Sequence, residues 1–275
     1  MATLIKVLLL SRPGHLPKPK QQALVILGNG PSLKDFLKQY RTFLTGKATM
    51  AVNHFADTEI FTDIKPDYYM INVPEFWTDD VDTDVLERRN RLIANLVNKT
   101  TWTMHLILGM GAKKSVKWID IAKKNPNITL HYINPTPVEG FKWFRFFCYR
   151  HNCGMPRPHN VLIPAIMTGV NTGFKEIFLT GADHSWLEEL FVADDNTVYL
   201  TQRHFYDAQT ARPDVMKKMG KNKRRLHEIL HKFMLSFKAY FDLNDYAKSK
   251  HIKIYNLTKN SFIDAFDRLK LPDNV

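Results

Sequence analysis

The stretch from Ala23 to Gly46 constrains the fold of this chain most. Its apolar run, Ala23-Leu24-Val25-Ile26-Leu27, is too short for a buried helix and branched enough for a strand covered on both faces of a parallel sheet. The run breaks at Gly28-Asn29-Gly30-Pro31-Ser32. Beyond the break Leu33, Phe36, Leu37, Tyr40 and Leu44 recur at helical spacing, and Gly46 stands where a helix C-terminus favours positive φ. Strand, glycine turn and helix together suit an anion. Two glycines let the backbone approach a ligand, Ser32 is expected to cap the helix, and free N–H groups with the helix dipole would face a phosphate. Neither standard fingerprint is met, because Leu33 stands where the dinucleotide motif needs its third glycine and no Gly-Lys-Ser/Thr follows. The turn therefore reads as a phosphate cradle or as a tight connection.

Further short apolar runs follow, separated by helical patterns. Ala48 to Asn53 and Asp67 to Asn72 each end in an asparagine, and in an open parallel sheet the strand ends carry the ligand, which would set Asn53 and Asn72 beside the glycine turn. Their amides suit a base or ribose, or merely form turns. Asp79-Asp80-Val81-Asp82-Thr83-Asp84 holds two D-x-D patterns but leads into a helical pattern over Val85 to Leu96. Asp84 with Glu87 makes a capping pair, which is favoured over a metal site. Thr101 to Leu108 and Ile128 to Ile133 are expected strands, Gly109 to Ser115 opens a helix, and Asn160 to Thr172 is an expected buried helix. Phe141 to Arg150 interleaves aromatics with cations, as a packed helix or a surface docking a partner or membrane would, and as base-stacking segments do. Glu176 to Thr180 runs into Gly181-Ala182-Asp183-His184, placing an acid and an imidazole at a strand end where α/β sites are built; Asp183 could fix the tautomer of His184.

Leu187 to Tyr199 is polar and acidic and reads as part of a lid over 185–212, followed by Arg203-His204-Phe205-Tyr206-Asp207. Pro213 to Lys250 is expected to be one helix whose first half carries Lys217, Lys218, Lys221, Lys223, Arg224 and Arg225, a solvated face or a landing strip for lipid or acidic glycan. The chain closes with a strand over Ile252 to Leu257 and a short helix over Ser261 to Leu269. The whole is expected to be one α/β domain over 23–275, a doubly wound, Rossmann-like, mostly parallel sheet with a lid insertion, preceded by an extension over 1–22. Met1 to Leu10 is apolar but far short of a bilayer span, and packing on the domain is favoured over an interfacial anchor. The excess of 39 basic over 27 acidic residues, a net charge of +12, favours an acidic partner. No RNA-binding module is visible. Only Cys148 and Cys153 occur, without zinc spacing, which fits a reducing cytosol.

Leu27 to Lys34, Asn53, Asn72 to Pro74, Gly173 to Asp183 and Ile252 to Ser261 together resemble the bacterial sialyltransferases of glycosyltransferase family 42, over nearly the whole chain from Ala23 to Leu269. The resemblance implies a GT-A-like fold and a metal-independent transfer of sialic acid or a similar acidic sugar from a CMP-sugar, with no cofactor. It implies nucleotide contacts at Gly28, Asn29, Gly30, Ser32, Asn53 and Asn72, with Asn160 added where Asn160-Val161-Leu162 replaces the family's Thr-Ser-Gly. A general base is expected at His204, which follows the lid in family order, or at His184 beside Asp183; Arg203 and Tyr206 are expected substrate contacts. Expected partners are the CMP-sugar donor, a glycan or glycolipid acceptor, an anionic membrane at the cytoplasmic face touched peripherally, and a second copy of the chain in a homo-oligomer, with no nucleic acid. The Gly-x-Gly-Pro-Ser opening is also similar to the 6-hydroxymethylpterin diphosphokinase-like family, which includes relatives attached to flagellin glycosylation, and a non-catalytic binding protein is the remaining alternative.

Overall fold

The structure is a computed structural model describing residues 16–206, 211–218 and 222–272, together with Ile5 and Val7. Eight parallel strands form the central sheet. In chain order they are β1 (Ala23–Leu27), β2 (Ala48–Val52), β3 (Tyr68–Ile71), β4 (Met104–Gly109), β5 (Ile128–Ile133) and β6 (Glu176–Thr180), followed much later by two more. A second, antiparallel sheet intervenes, built from β7 (Leu190–Val192), β8 (Val198–Leu200) and β9 (Asp214–Val215), with a two-stranded ribbon of β10 (Lys217–Lys218) and β11 (Asn222–Lys223) beside it in sequence. The central sheet is completed by β12 (Lys253–Asn256) and β13 (Asp267–Arg268), giving the order β13-β12-β6-β1-β2-β3-β4-β5.

That order explains the apolar runs. β1 is central, with Val25 paired to Thr49 on one side and Phe178 on the other, so all five of its residues are buried. Leu24 and Ile26 face one core while Ala23, Val25 and Leu27 face the other, as the two-residue period of a strand requires. On the first face pack α6 (Lys142–Arg150), α7 (Leu162–Thr172) and α8 (Leu226–Ser249); on the second pack α1 (Leu33–Gln39) and α3 (Thr83–Lys99), with the short α2 (Ile60–Ile64), α4 (Val116–Ile119) and α5 (Ile121–Lys124) completing the set. The sheet is therefore doubly wound. α7 shows the cost of that central place: every residue from Leu162 to Val170 is buried, and Gly169 lets the helix lie against Leu24 and Ile177.

Several sequence expectations are corrected. α1 ends at Gln39, capped by Tyr40, rather than at Gly46, because the next residues, Arg41–Leu44, wind as a 3-10 turn; Gly46 keeps its positive φ of 75° beyond it. The acidic run does not cap α3 through Asp84. Asp82 precedes the helix without a side-chain cap bond, Asp84 pairs with Arg88, and Asp79 pairs at 2.7 Å with Arg89, a fully buried guanidinium that a lone carboxylate-free environment would not tolerate. Gly109 to Ser115 opens on a 3-10 turn, Met110–Lys114, rather than an α-helix. The expected helix over 213–250 begins only at Leu226, its Arg225 N–H held by Glu228 Oε2 at 2.8 Å. Ser261 to Leu269 is not helical, since the side chain of Arg268 donates to the carbonyls of Thr258, Ser261 and Ile263 and thereby fixes an irregular path. The segment expected as a lid carries β7 and β8, and Val198, Leu200 and Trp186 pack on Ile229 and Phe233 of α8. Residues 207–210 of that segment, Lys221, and most of 1–15 lie outside the described residues; Val7 and Leu16 rest against the first core.

Candidate functional site

The chain leaves β1 toward β2 through β5 and returns to β6 on the other side of β1, so the sheet reverses its winding between β1 and β6. Crevices at such a reversal are where open α/β sheets hold ligands. Here the two loops that diverge from it are first locked together. Gly28 N–H donates to Thr180 O and Gly30 N–H to Gly181 O, both at 2.8 Å. A β-carbon on Gly28 would run into the Gly181 carbonyl, and one on Gly181, whose φ is 63°, into the Gly28 carbonyl. These glycines permit the approach of one turn to the other.

The same lock occupies the start of α1. Asp183, from the β6 turn, accepts from Ser32 Oγ at 2.8 Å and from Ser32 N at 3.3 Å, while Leu33 N–H turns back to Gly30 O. Ser32 therefore makes no cap bond of its own, and the negative group at this helix end is the chain's own carboxylate. Burial pushes the Asp183 carboxyl up, and the Ser32 donors offset part of that.

Beside the lock opens a cleft of about 240 Å³. Its sheet-side wall carries Asn29, Gly30, Asn53 and Asp183, its helical wall His159, Asn160, Lys232, Phe233 and Ser236, and its rim His184, Trp186, Glu189, Arg203, His204 and Tyr206. Asn29 donates through Nδ2 to Val52 O at 3.0 Å, and Phe205 N–H donates to Asn29 O at 2.9 Å, so the rim segment is pinned onto the glycine turn. Asn53, at φ 47°, has its carbonyl held by the Tyr69 hydroxyl at 2.5 Å. Among the described residues four cleft-lining atoms are buried without a hydrogen-bond partner: Asn29 Oδ1, Asn53 Oδ1, His159 Nε2 and Asn160 Nδ2. Unpaired buried polar atoms cost about 1–3 kcal/mol each, and their convergence on one cleft marks it as a place for a polar ligand.

One hydrogen-bond chain settles proton positions. Asn160 Oδ1 accepts from the backbone N–H groups of Leu162 at 3.0 Å and Ile163 at 3.3 Å, which fixes that atom as the oxygen. The Tyr240 hydroxyl, 3.0 Å from the same oxygen, must then donate to it. His184 Nε2, 2.6 Å from the Tyr240 oxygen, must in turn carry its proton and donate, leaving Nδ1 as the acceptor. Tyr240 thus sets the tautomer of His184, correcting the expectation that Asp183 does. His184 is 8% exposed, its ring stacks on Trp186 with centroids 4.0 Å apart, and burial lowers its pKa from 6.5 to about 3.

No family model and no curated protein matches this chain. Among solved structures, the Maf glycosyltransferase from Magnetospirillum magneticum AMB-1 is similar at a TM-score of 0.51 and 10% identity, with 96% of this chain and 37% of that one covered. The likeness is one of fold, and the chain spans little more than a third of that protein's length.

Of the residues singled out in the sequence, the structure brings Asn29, Gly30, Asn53, Asn160, Asp183, His184, Arg203, His204 and Tyr206 to the cleft. Gly28 and Ser32 are not among its lining residues, being taken up by the lock between turns, and Asn72 stands at the end of β3 with its Oδ1 against Gly109. His204 stacks on Tyr206 with ring centroids 5.0 Å apart and planes 3° from parallel, and Arg203 pairs with Glu189 at 2.9 Å. Sequence reasoning missed His159, Trp186 and Lys232. Lys232 was findable: with Ile229, Phe233, Ser236 and Tyr240 forming the buried stripe of α8, position 232 lies on the edge of that stripe, where a lysine is expected to reach into a cleft or snorkel out of it. Among the described residues no cluster of three or more His, Cys, Asp or Glu side chains is placed to hold a metal.

Proposed function

We propose that this chain transfers a sugar from a nucleotide-activated donor held in the cleft between β1 and β6. The observation that carries the reading is the convergence of four unpartnered buried polar atoms at the winding reversal of a doubly wound parallel sheet. The fold likeness to a Maf glycosyltransferase supports the transferase class. The family 42 resemblance supports the finer statement: a CMP-sugar donor carrying sialic acid or a similar acidic sugar, and a glycan or glycolipid acceptor.

In that reaction the acceptor hydroxyl oxygen forms a bond to the anomeric carbon while the bond from that carbon to the donor phosphate oxygen breaks, its electron pair leaving with the nucleotide. A base takes the hydroxyl proton. His184 is a poor store for that proton, because burial holds its pKa near 3; its Nδ1 serves as a hydrogen-bond acceptor that orients the hydroxyl. His204, on the rim and stacked on Tyr206, is the base. Phe141, Trp143 and Phe147 of the α6 region stand 77%, 72% and 57% exposed, and with the net charge of +12 they support peripheral contact with an anionic membrane face that presents the acceptor.

Thermal-shift measurements with CMP, CDP, UDP, GDP and ATP test the reading. Stabilisation by CMP is expected, about 2.7 kcal/mol at a hundredfold excess over Kd. Stabilisation by ATP and not CMP would move the assignment to the diphosphokinase-like class, and none by any nucleotide would refute a nucleotide donor.

A further inference from the structure

The charges of the cleft are divided between its walls in a way the glycine turn does not suggest. On the sheet side the backbone donors of Gly28, Gly30, Ser32 and Leu33 are all spent within the protein, Pro31 has none, and the carboxylate at the start of α1 is Asp183. A phosphoryl group placed there would meet a like charge and find no free amide among those four.

The helical wall is the reverse. Among the described residues Lys232 Nζ has no ion pair and no hydrogen-bond acceptor; burial and the nearby Arg224 both push its pKa down, and Glu75 alone opposes them. His159 is pushed down to about 4 by burial and by Lys232, Arg157, Arg224 and His231. His159 Nε2 and Arg224 Nε are buried with no partner, and so is Asn160 Nδ2, which the fixed orientation of its amide makes a donor. Arg203, the other cation on the cleft, is already neutralised by Glu189. A cluster whose members depress one another and whose donors are unpaired is one that an anion would satisfy.

We propose that Lys232, His159 and Asn160 form the phosphate subsite of the cleft, so that the ligand lies with its phosphoryl group against α8 and the start of α7 and its hydroxyl or amino groups toward Asn29 Oδ1 and Asn53 Oδ1. The orientation rests on the proposed nucleotide donor; the anion subsite itself does not. Acceptor oxygens on one wall, and on the other a lysine cation beside two neutral polar side chains, suit a ligand with donors at one end and an anion at the other, which is the chemistry of a nucleotide.

The test is calorimetric titration, at fixed ionic strength, of the whole chain with CMP, cytidine and inorganic pyrophosphate. It compares the parent with Lys232→Met, His159→Gln and Lys34→Met, the last removing an exposed cation from α1 next to the glycine turn. Lys232→Met is expected to weaken CMP and pyrophosphate by about tenfold or more and to leave cytidine unchanged. His159→Gln should act in the same sense and more weakly, and Lys34→Met should change none of the three. Equal CMP and pyrophosphate affinities in the parent and both cleft variants would overturn the subsite, as would a loss confined to Lys34→Met. Lys232-dependent binding of pyrophosphate with no binding of CMP or cytidine would uphold the subsite and sink the nucleotide reading. Binding of none of the three would sink both. Removal of an unpaired, desolvated cation should also leave ligand-free Lys232→Met at least as heat-stable as the parent, which guards against reading a folding defect as lost affinity.

Discussion

Acidification tests the description of His184 directly. An imidazole with an unfolded pKa of 6.5 and a folded pKa of about 3 binds no proton in the native state over the interval between them, while the unfolded chain does. The sign follows: the native state is favoured fully above the unfolded pKa, and that advantage drains away as pH falls from about 6.5 toward 3. At about pH 4.5, two units below the unfolded value, the loss attributable to this one group is about 2–3 kcal/mol. His159 drains in the same direction, so the parent alone cannot isolate His184. His184→Asn can, since asparagine does not titrate and tolerates the left-handed φ of 55° at this position. Asparagine is too short to replace the bond to Tyr240, so the variant starts less stable at neutral pH, and the quantity to compare is the slope. Urea unfolding followed by far-ultraviolet circular dichroism at several pH values should show the parent losing about 2–3 kcal/mol more than the variant between pH 7 and about 4.5. Parallel curves for the two proteins would mean that His184 takes up its proton in the folded state and that burial does not hold its pKa near 3; the bond from Nε2 to Tyr240, which either protonation state donates, would stand.

Two further outcomes follow from the lock and the rim. Gly181→Ala must accept a φ of 63° and drive a β-carbon into the Gly28 carbonyl, so it should cost about 2–4 kcal/mol in urea unfolding; a loss under about 0.5 kcal/mol, the level of a neutral surface change, would mean the two turns do not touch. His204→Gln should lower turnover by about 10²–10⁴ while leaving nucleotide affinity at the parental level; near-parental turnover would remove His204 as the base, and collapsed affinity would make it a donor contact instead.

The central strands could be read from the sequence because burial on both faces removes alternation and leaves unbroken branched runs such as Leu24-Val25-Ile26-Leu27, whose shortness and flanking glycine turn separate them from a buried helix such as α7. The chain's later third was less legible. Residues 213–225 share the lysine-rich composition of a solvated helix, but in the described part of the segment Arg224 N–H bonds to Met216 O and β9 pairs with β8, so backbone groups there are satisfied by partners rather than by helical turns. At Ser261 to Leu269 the apolar spacing of Phe262, Ala265, Phe266 and Leu269 imitates a helix face. Two carbonyls that helical bonds would have used, those of Ser261 and Ile263, are instead taken by Arg268, and Asn256 Nδ2 reaches both Ser261 Oγ and Ile263 O. Periodicity cannot reveal a side chain that substitutes for backbone bonds.

The same blindness to remote partners explains the site. Two glycines and a serine between a strand and a helix have free donors only if nothing else in the fold claims them, and the claimant here, Asp183, lies 151 residues from Ser32. A local motif therefore specified where the crevice would be, since the first strand of a doubly wound sheet borders its winding reversal, but not which wall would be positive. That sign was written in residues without a motif: a histidine after Pro158 and a lysine on the edge of a buried helical stripe, harmless as sequence and without a side-chain partner among the described residues. A helix start that supplies its own carboxylate has no electrostatic need of a phosphate, whereas Lys232 and His159 carry an unmet one. The electrostatics of the cleft thus oppose the motif, and affinity measured on the α8 wall rather than at the glycine turn decides between them.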